Sequence, residues 1–179
     1  MAFVLGMVAA ASAAELPVAL VDFPAREDLQ AGLLAVHEMG GTLGNIAVLD
    51  AQAQPVTAVH GLLDGMALVV AGLGRTRLTP STSRILVSRA HTGECTLVFT
   101  DGQQCPGADL HLTAHCTDAE GLSRHGRGYL KAQTYSVEAT PKGGQRIHGE
   151  FRKDPRPGRV EWAAVEAAVT TVELPTGTG

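Results

Sequence analysis

The stretch Asp109-Leu110-His111-Leu112-Thr113-Ala114-His115-Cys116 alternates apolar and polar residues cleanly along its length. Such alternation is the period of a β-strand with one apolar side, because successive side chains of a strand point to opposite faces. The pattern predicts a strand over residues 109–117. Leu110, Leu112, Ala114 and Cys116 are expected to face the core, and His111, Thr113 and His115 to face the other way.

Further strands are predicted around this one, over residues 84–90, 95–100, 128–140 and 145–152. Turn signals such as Asp101-Gly102 and Lys142-Gly143-Gly144 separate them, so the region is expected to form a run of antiparallel hairpins. Residues 154–158 are predicted to be a loop. A helix is predicted over residues 160–174, with an apolar stripe formed by Trp162, Val165, Val169 and Val172.

The first part of the chain has a different pattern. Residues 16–50 are predicted to form a strand, a helix and a strand, because helically spaced leucines follow a short apolar run and Gly40-Gly41 can end the helix. Residues 56–74 are ambiguous, because the run 56–73 is apolar nearly all round and contains the three glycines Gly61, Gly65 and Gly72. They fit either a buried helix or two short strands.

Length and composition favour one domain, since 179 residues with 45% apolar content suffice for a single core. We expect an α+β fold, a single domain over residues 16–174 with a predominantly antiparallel sheet and one or two packed helices. An apolar segment, 1–15, precedes it and a flexible tail, 175–179, follows.

The apolar N-terminal segment allows two interpretations. It ends in the small residues Ala11-Ser12-Ala13-Ala14, as a signal peptide does, but it lacks the basic residues that open one. The alternative is a buried strand or helix, which makes the protein cytoplasmic. The run is too short to span a bilayer, so no membrane association is expected.

The charge is unevenly distributed along the chain. Residues 1–74 have one basic residue against seven acids, a net charge of −6, whereas residues 124–159 have nine basic residues against three acids, a net charge of +6. Opposite regions could attract each other, or the basic region an anion. Aromatic residues make up only 4%, which argues against a stacking platform for nucleic acid. Nucleic acid is therefore an unlikely partner.

Three cysteines occur at spacings of ten and eleven residues, without a Cys-x-x-Cys pair. This pattern indicates neither a zinc knuckle nor a redox pair, and three reduced thiols are the simplest expectation. A disulfide between Cys95 and Cys105 is the alternative in an oxidising compartment.

The histidines suggest at most one metal ion. In a strand, His111 and His115 would lie roughly 13 Å apart, too far to share an ion whose ligands bind at about 2.1 Å. A single zinc-type ion could instead be held by His111 and His125. The other interpretation is that these histidines are exposed or hydrogen-bonded on a polar sheet face, and no other cofactor is expected.

A catalytic alternative comes from Val59-His60-Gly61-Leu62-Leu63, which is loosely similar to the start of the central helix in hot-dog-fold thioester enzymes. This resemblance implies a polar group or helix dipole beside a thioester carbonyl. His60 and Asp64, one helical turn apart, are the candidate catalytic residues of an acyl-thioester hydrolase or dehydratase.

The order of motifs also resembles the plants-and-prokaryotes-conserved (PPC) domain family. The matching segments are Arg26-Glu27-Asp28-Leu29, Gly44-Asn45-Ile46, Leu110-His111-Leu112-Thr113, Asp118-Ala119-Glu120-Gly121, Gly126-Arg127 and Val137-Glu138. The family's metal-binding histidines fall here on His111, Thr113 and Arg127, so only His111 is retained. The resemblance implies a trimer with a binding or regulatory role.

We therefore expect a homo-oligomeric binding or regulatory module. A small-molecule or anionic ligand is possible, and the candidate ligand-binding residues are Thr113, Arg124 and Arg127. The rival is the hot-dog-like enzyme. The two differ in residues 58–73, which would form a long central helix in the enzyme and strands or a peripheral helix in the binding module.

Overall fold

The computed structural model describes residues 1–22, 26–51, 54–100, 102, 105–122, 128–156, 159–165 and 170–172. The contacts within the chain divide it into two compact units, unit 1 (Met1–Gly107) and unit 2 (Ala108–Gly179). Each is described by itself below.

Unit 1 is a parallel sheet with helical connections. Its strands are β1 (Val18–Val21), β2 (Ile46–Leu49), β3 (Leu68–Ala71) and β4 (Thr96–Phe99), in the order β2-β1-β3-β4. Its helices are α1 (Ala2–Ala13), α2 (Arg26–Glu38), α3 (Pro55–Leu62) and α4 (Pro80–Thr92), and a short 3-10 helix spans Leu43–Asn45. All three strand pairs are parallel, so each connection must cross over the sheet.

The core of unit 1 lies on both faces of this sheet. Ala19 and Val21 of β1 pack with Val59 and Leu63 on one side, in the same cluster as Leu86 of α4. The alternate strand residues, which include Val18, Leu20, Leu68 and Val70, pack on the other side with Val8 of α1 and Val36 of α2. A sheet covered on both faces requires uninterrupted apolar strands, which explains the four-residue runs of β1 and β3.

Helix α1 belongs to this core. Val8, Ala9 and Ser12 are buried, and the Ser12 hydroxyl accepts a hydrogen bond from the Thr42 backbone N–H at 3.2 Å. A Cβ added at Gly41 would lie 2.6 Å from Val36 Cγ1 and 2.8 Å from Ser12 Oγ, so glycine is needed for this close approach. In the structure the N-terminal segment is a helix packed into the core. That the protein is cytoplasmic stays a prediction. No described helix has the length and apolar character that crossing a bilayer requires.

The strand–helix–strand prediction for residues 16–50 is confirmed by β1, α2 and β2. Residues 56–74, for which a helix and two strands were alternatives, divide into α3 and the buried strand β3.

The strand predicted over residues 84–90 is wrong, because these residues lie in α4. The helix is capped by Thr79, whose side chain accepts a hydrogen bond from the Thr82 N–H, and begins at Pro80. Ser83, Leu86 and Ala90 are its buried residues, at helical spacing. The run Ile85-Leu86-Val87 resembles a strand locally, but the capping residues before it begin a helix.

Unit 2 is an antiparallel sheet. Its strands are β5 (Leu110–Leu122), β6 (Gly128–Pro141), β7 (Arg146–Arg156) and β8 (Arg159–Ala164), paired in that order, and β9 (Thr170–Val172) pairs with the first part of β7. The strands predicted over residues 109–117, 128–140 and 145–152 are thereby confirmed. The predicted strand 95–100 is present as β4, but it lies in the parallel sheet of unit 1.

Two predictions for the C-terminal part are wrong. Residues 154–156 continue β7, although a loop was expected over 154–158, and residues 157–158 lie outside the described part of the chain. The helix predicted over residues 160–174 is replaced by β8 and β9, since Trp162 lies opposite Lys153 of β7. The spacing of Trp162 and Val165 fits a helix, but pairing with β7 decides the conformation.

The expected α+β class is confirmed, with an antiparallel sheet as predicted. The described residues contain four α-helices where one or two were expected, and a parallel sheet besides. That residues 16–174 behave as one folding domain stays a prediction.

Candidate functional site

Strand β5 forms an edge of the antiparallel sheet. It pairs on one side with β6, and among the described strands none pairs with its other side. Every residue from Asp109 to Gly121 is exposed. A strand with this arrangement presents a row of backbone N–H and C=O groups to any other extended chain.

The regular part of this edge is seven residues long, and we call Leu110–Cys116 the edge segment. Its pairing with β6 is continuous from Leu110 opposite Pro141 to Cys116 opposite Tyr135. The register then shifts between Cys116 and Asp118, and again between Glu120 and Leu122. These bulges end the flat stretch, because an extra residue twists a strand away from its ladder.

The edge segment has the two faces that the alternation predicts. Leu112 lies opposite Ala139 and Ala114 opposite Val137, whereas His115 lies opposite Ser136. Leu110 and Leu112 are 46% and 44% exposed, so the apolar face is open to solvent and not covered as a core would be. This exposure is the main feature that the sequence analysis did not predict.

The apolar face is better packed towards the middle of the sheet. Val137 is buried, and the rings of Tyr135 and Trp162 lie with centroids 5.3 Å apart. Burial raises the pKa of Tyr135, and the nearby Cys116 thiol adds to the effect. The face thus changes from packed aromatic rings near β8 to exposed leucines at the edge.

The polar face of the same sheet is held by ion pairs. Arg152 donates hydrogen bonds to the carboxylates of Glu120 and Asp154, and Arg146 pairs with Glu138 at 2.7 Å. The hydrogen bond from Arg152 holds the pKa of Glu120 below its ordinary value. The same two carboxylates raise the pKa of the Arg152 guanidinium. Sequence analysis missed these pairs. Opposite charges on the adjacent strands β6 and β7 are a signal for the Arg146–Glu138 pair alone, because Arg152 reaches Glu120 across β6.

His111 and Thr113 lie on this polar face, and both are exposed. The described residues contain no group of three or more histidine, cysteine, aspartate or glutamate residues that could hold a metal ion. His125, the predicted second ligand, lies outside the described residues, as do Arg124 and Arg127 of the predicted anion site. The site of His111 with His125 and the site of Thr113 with both arginines therefore stay predictions.

Another histidine of the polar face has a partner. His148 Nε2 and Ser136 Oγ are 2.8 Å apart, and His148 lies directly opposite Glu138. No sequence motif indicates this pair, because the two residues are brought together by the β6–β7 register.

The candidate catalytic residues His60 and Asp64 are brought together in unit 1 by an arginine. Arg89 of α4 pairs with the Asp64 carboxylate, with Nε donating to Oδ1 at 3.0 Å, and its Nη1 lies 3.3 Å from His60 Nε2. Asp64 is exposed. The arrangement joins the end of α3 to α4, and Arg89 was not predicted to take part.

The long central helix of the hot-dog hypothesis is wrong. Helix α3 has eight residues and ends at Leu62, and β3 follows in a parallel sheet. Whether the chain is a binding module or an enzyme stays a prediction.

All three cysteines are free thiols, so the alternative of a Cys95–Cys105 disulfide is not formed. Cys95 and Cys105 are buried and Cys116 is exposed. Burial raises the pKa of Cys95, which opposes formation of a thiolate there. The Sγ of Cys105 lies 2.9 Å from Ser83 Oγ, which also contacts the Pro106 carbonyl at 2.7 Å.

The parallel sheet with helices on both faces places unit 1 among the doubly wound α/β proteins. Residues 1–107 match the family model of the MT3502 N-terminal domain, and the chain belongs to that family. The matched range has the same bounds as unit 1.

A curated relative is the uncharacterized protein Rv3395c of Mycobacterium tuberculosis. It is 44% identical over 99 residues, which make up 55% of this chain and 46% of the relative. The match thus spans about half the length of this relative.

Proposed function

We propose that this protein is a binding module that associates with a second copy of itself by pairing the edge segments of the two copies. The observation that carries the proposal is the exposed edge segment, regular over seven residues and open on its outer side among the described strands.

The composition of the edge segment supports this proposal. Natural sheet edges are commonly protected by lysine, proline, inward charges or bulges. The segment Leu-His-Leu-Thr-Ala-His-Cys contains no Lys, Arg, Asp, Glu or Pro, and the bulges and the acids Asp118 and Glu120 come after it. Two such segments can therefore approach each other without like-charge repulsion from fixed charges.

The resemblance to the PPC domain family is a second support, because it implies self-association. That resemblance implies a trimer, whereas the pairwise contact proposed here gives a dimer. The mass of the assembly therefore distinguishes the two. A cytoplasmic location and an anionic or small-molecule ligand at Thr113, Arg124 and Arg127 belong to the same proposal, and the ligand is supported by the net charge of +6 over residues 124–159.

The test is sedimentation velocity over a range of protein concentrations, with a matched pair of variants. The wild type should shift from one chain to two as its concentration rises. Leu112→Lys places a charge on the edge and should keep the chain monomeric, since lysine at an edge opposes strand addition. Ile147→Lys is the control, because Ile147 lies on the apolar face in β7, one strand removed from the edge strand by β6.

Three outcomes would overturn the proposal. A wild type that stays monomeric up to its solubility limit excludes self-association. A mass of three chains favours the trimer of the PPC resemblance over pairwise edges. Equal disruption by Leu112→Lys and Ile147→Lys would show that copies meet through the apolar face.

A further inference from the structure

The ends of the edge segment determine how two copies can pair. Strand β5 begins at Leu110, and the first bulge follows Cys116. Two identical edges related by a two-fold axis run antiparallel, and the contact closes at two copies. A pairing that uses all seven residues must then be centred on Thr113, which lies opposite Thr113 of the second copy.

This register preserves the two faces of the sheet. Leu110 of each copy lies opposite Cys116 of the other, and Leu112 lies opposite Ala114, so the apolar face continues across the contact. On the polar face His111 lies opposite His115. Residues that are directly opposite in an antiparallel pair share a face, with Cβ atoms about 4.5–5.5 Å apart.

We propose that the paired edges bind divalent transition-metal ions, each held by His111 of one copy and His115 of the other. This inference rests on the self-association proposed above. Two-fold symmetry generates two such sites in each dimer, and it predicts that neither site exists in a single chain.

The chemistry of the pair supports this assignment. Imidazole is a common ligand of Zn²⁺, Ni²⁺ and Cu²⁺. Imidazoles on directly opposite residues can reach one ion at about 2.0–2.1 Å, whereas those four residues apart on one strand are roughly 13 Å apart. Each ion would have two protein ligands and would complete its coordination with water.

The size of the contact explains why an ion would matter. Seven residues from each copy are far fewer than the 20–30 residues per side of a standard stable interface, so the strand pairing alone should be weak. A ligand that binds only the dimer multiplies the dimerisation constant, for each site, by a factor that rises with the ratio of ligand concentration to dissociation constant. With Zn²⁺ at ten times its dissociation constant, two sites should tighten the dimer roughly a hundredfold.

The experiment is sedimentation equilibrium of the untagged full chain with ZnCl₂ alone or with EDTA. His111→Gln and His115→Gln should each abolish the zinc effect, because every site uses one residue of each kind. His148→Gln is the matched control, since His148 lies on the same face in β7 and contacts Ser136. This control should retain the zinc effect.

A mixture of the His111→Gln and His115→Gln chains gives the most specific test of the site. A dimer of one His111→Gln chain and one His115→Gln chain keeps one intact pair, His115 of the first with His111 of the second. Zinc should therefore draw the mixture into heterodimers, with a tightening of roughly tenfold from one site. Neither variant alone should respond.

The register has its own test. In a Cys116→Ser background, Thr113→Cys brings two thiols face to face at a Cα separation of about 4.5–5.5 Å, which a disulfide accepts. Mild oxidation should give a covalent dimer. Ala119→Cys in the same background is the control, because its two copies would lie roughly 40 Å apart.

The outcomes separate the two proposals. A wild type that dimerises equally with zinc and with EDTA overturns the metal site and leaves self-association standing. A zinc effect that is lost in His125→Gln and retained in His115→Gln would overturn the site between copies and support the site formed by His111 and His125 of one chain. A wild type that is monomeric with and without zinc overturns both proposals.

Discussion

Unit 1 covers both faces of its sheet with helices, whereas β5 of unit 2 is exposed from Leu110 to Gly121. Of the twenty buried apolar residues of the described chain, eighteen lie in unit 1, and only Ala132 and Val137 lie in unit 2. Unit 1 is also the part that matches the family model. The difference indicates that unit 1 provides most of the stability of the described chain.

The largest effect expected from this comparison concerns the isolated units. Residues 1–107 expressed alone should unfold cooperatively in urea, because both buried clusters lie within them. Residues 108–179 alone should have a much lower urea midpoint. The measurement is circular dichroism at equilibrium. An unfolded 1–107 fragment would contradict this division and support one folding domain over residues 16–174.

The next effect comes from the same substitution in a strand of each unit. Leu20 of β1 is 1% exposed, and Leu20→Ala should lower the free energy of unfolding by about 2–5 kcal/mol because it leaves a cavity. Leu112 of β5 is 44% exposed. Leu112→Ala should therefore change the free energy of unfolding by less than about 0.5 kcal/mol. Urea unfolding of the monomer at low concentration measures both. Similar costs would mean that Leu112 is buried in solution.

A glycine pair tests packing in the two units. A Cβ at Gly93, after α4, would overlap the Leu63 carbonyl oxygen, so Gly93→Ala should lower the free energy of unfolding by about 1–3 kcal/mol. A Cβ at Gly149 in β7 would meet Phe151 at 3.6 Å, an ordinary contact. Gly149→Ala should therefore be neutral or slightly stabilising. Thermal midpoints of the two variants give the comparison, and equal losses would contradict it.

The smallest effect concerns the ion pair of Glu120 with Arg152. Because the pKa of Glu120 is lowered in the folded chain, the pair stabilises unit 2 above the ordinary glutamate pKa of about 4.3. That contribution should disappear as the pH falls through the lower folded value. Glu120→Gln should thus lower the urea midpoint slightly at pH 7, and its effect should shrink as the pH falls below the ordinary glutamate pKa.

Trp162 is the only tryptophan, and it packs against Tyr135, so its fluorescence reports on unit 2. A difference between Glu120→Gln and the wild type that grew at low pH would contradict the direction of the shift.

The local sequence pattern correctly predicted secondary structure where one face of an element is apolar and glycine or turn residues mark its ends. The alternation of residues 109–117 correctly predicted a strand with two different faces, and the Gly40-Gly41 pair correctly ended α2. It failed at residues 84–90 and 160–174, where short apolar runs fit a helix and a strand equally well. Capping by Thr79 decided the first case, and pairing with β7 decided the second.

The candidate site was only partly predictable for the same reason. Sequence placed His111, Thr113 and His115 on one face, since that depends on the strand period alone. It could not show that β5 is an edge, or that Arg152 reaches Glu120 and Arg89 reaches Asp64, because these contacts join residues 32 and 25 positions apart.

By itself, the order of residues determined the α+β class, the strand–helix–strand start and the two faces of β5. These follow from backbone periodicity and from glycine conformations, which act over a few residues. Only the tertiary structure decided that residues 18–99 form a parallel sheet in the order β2-β1-β3-β4 and that β5 lies at an edge. Strand order depends on which distant segments exchange backbone hydrogen bonds, and a local pattern does not specify that partner.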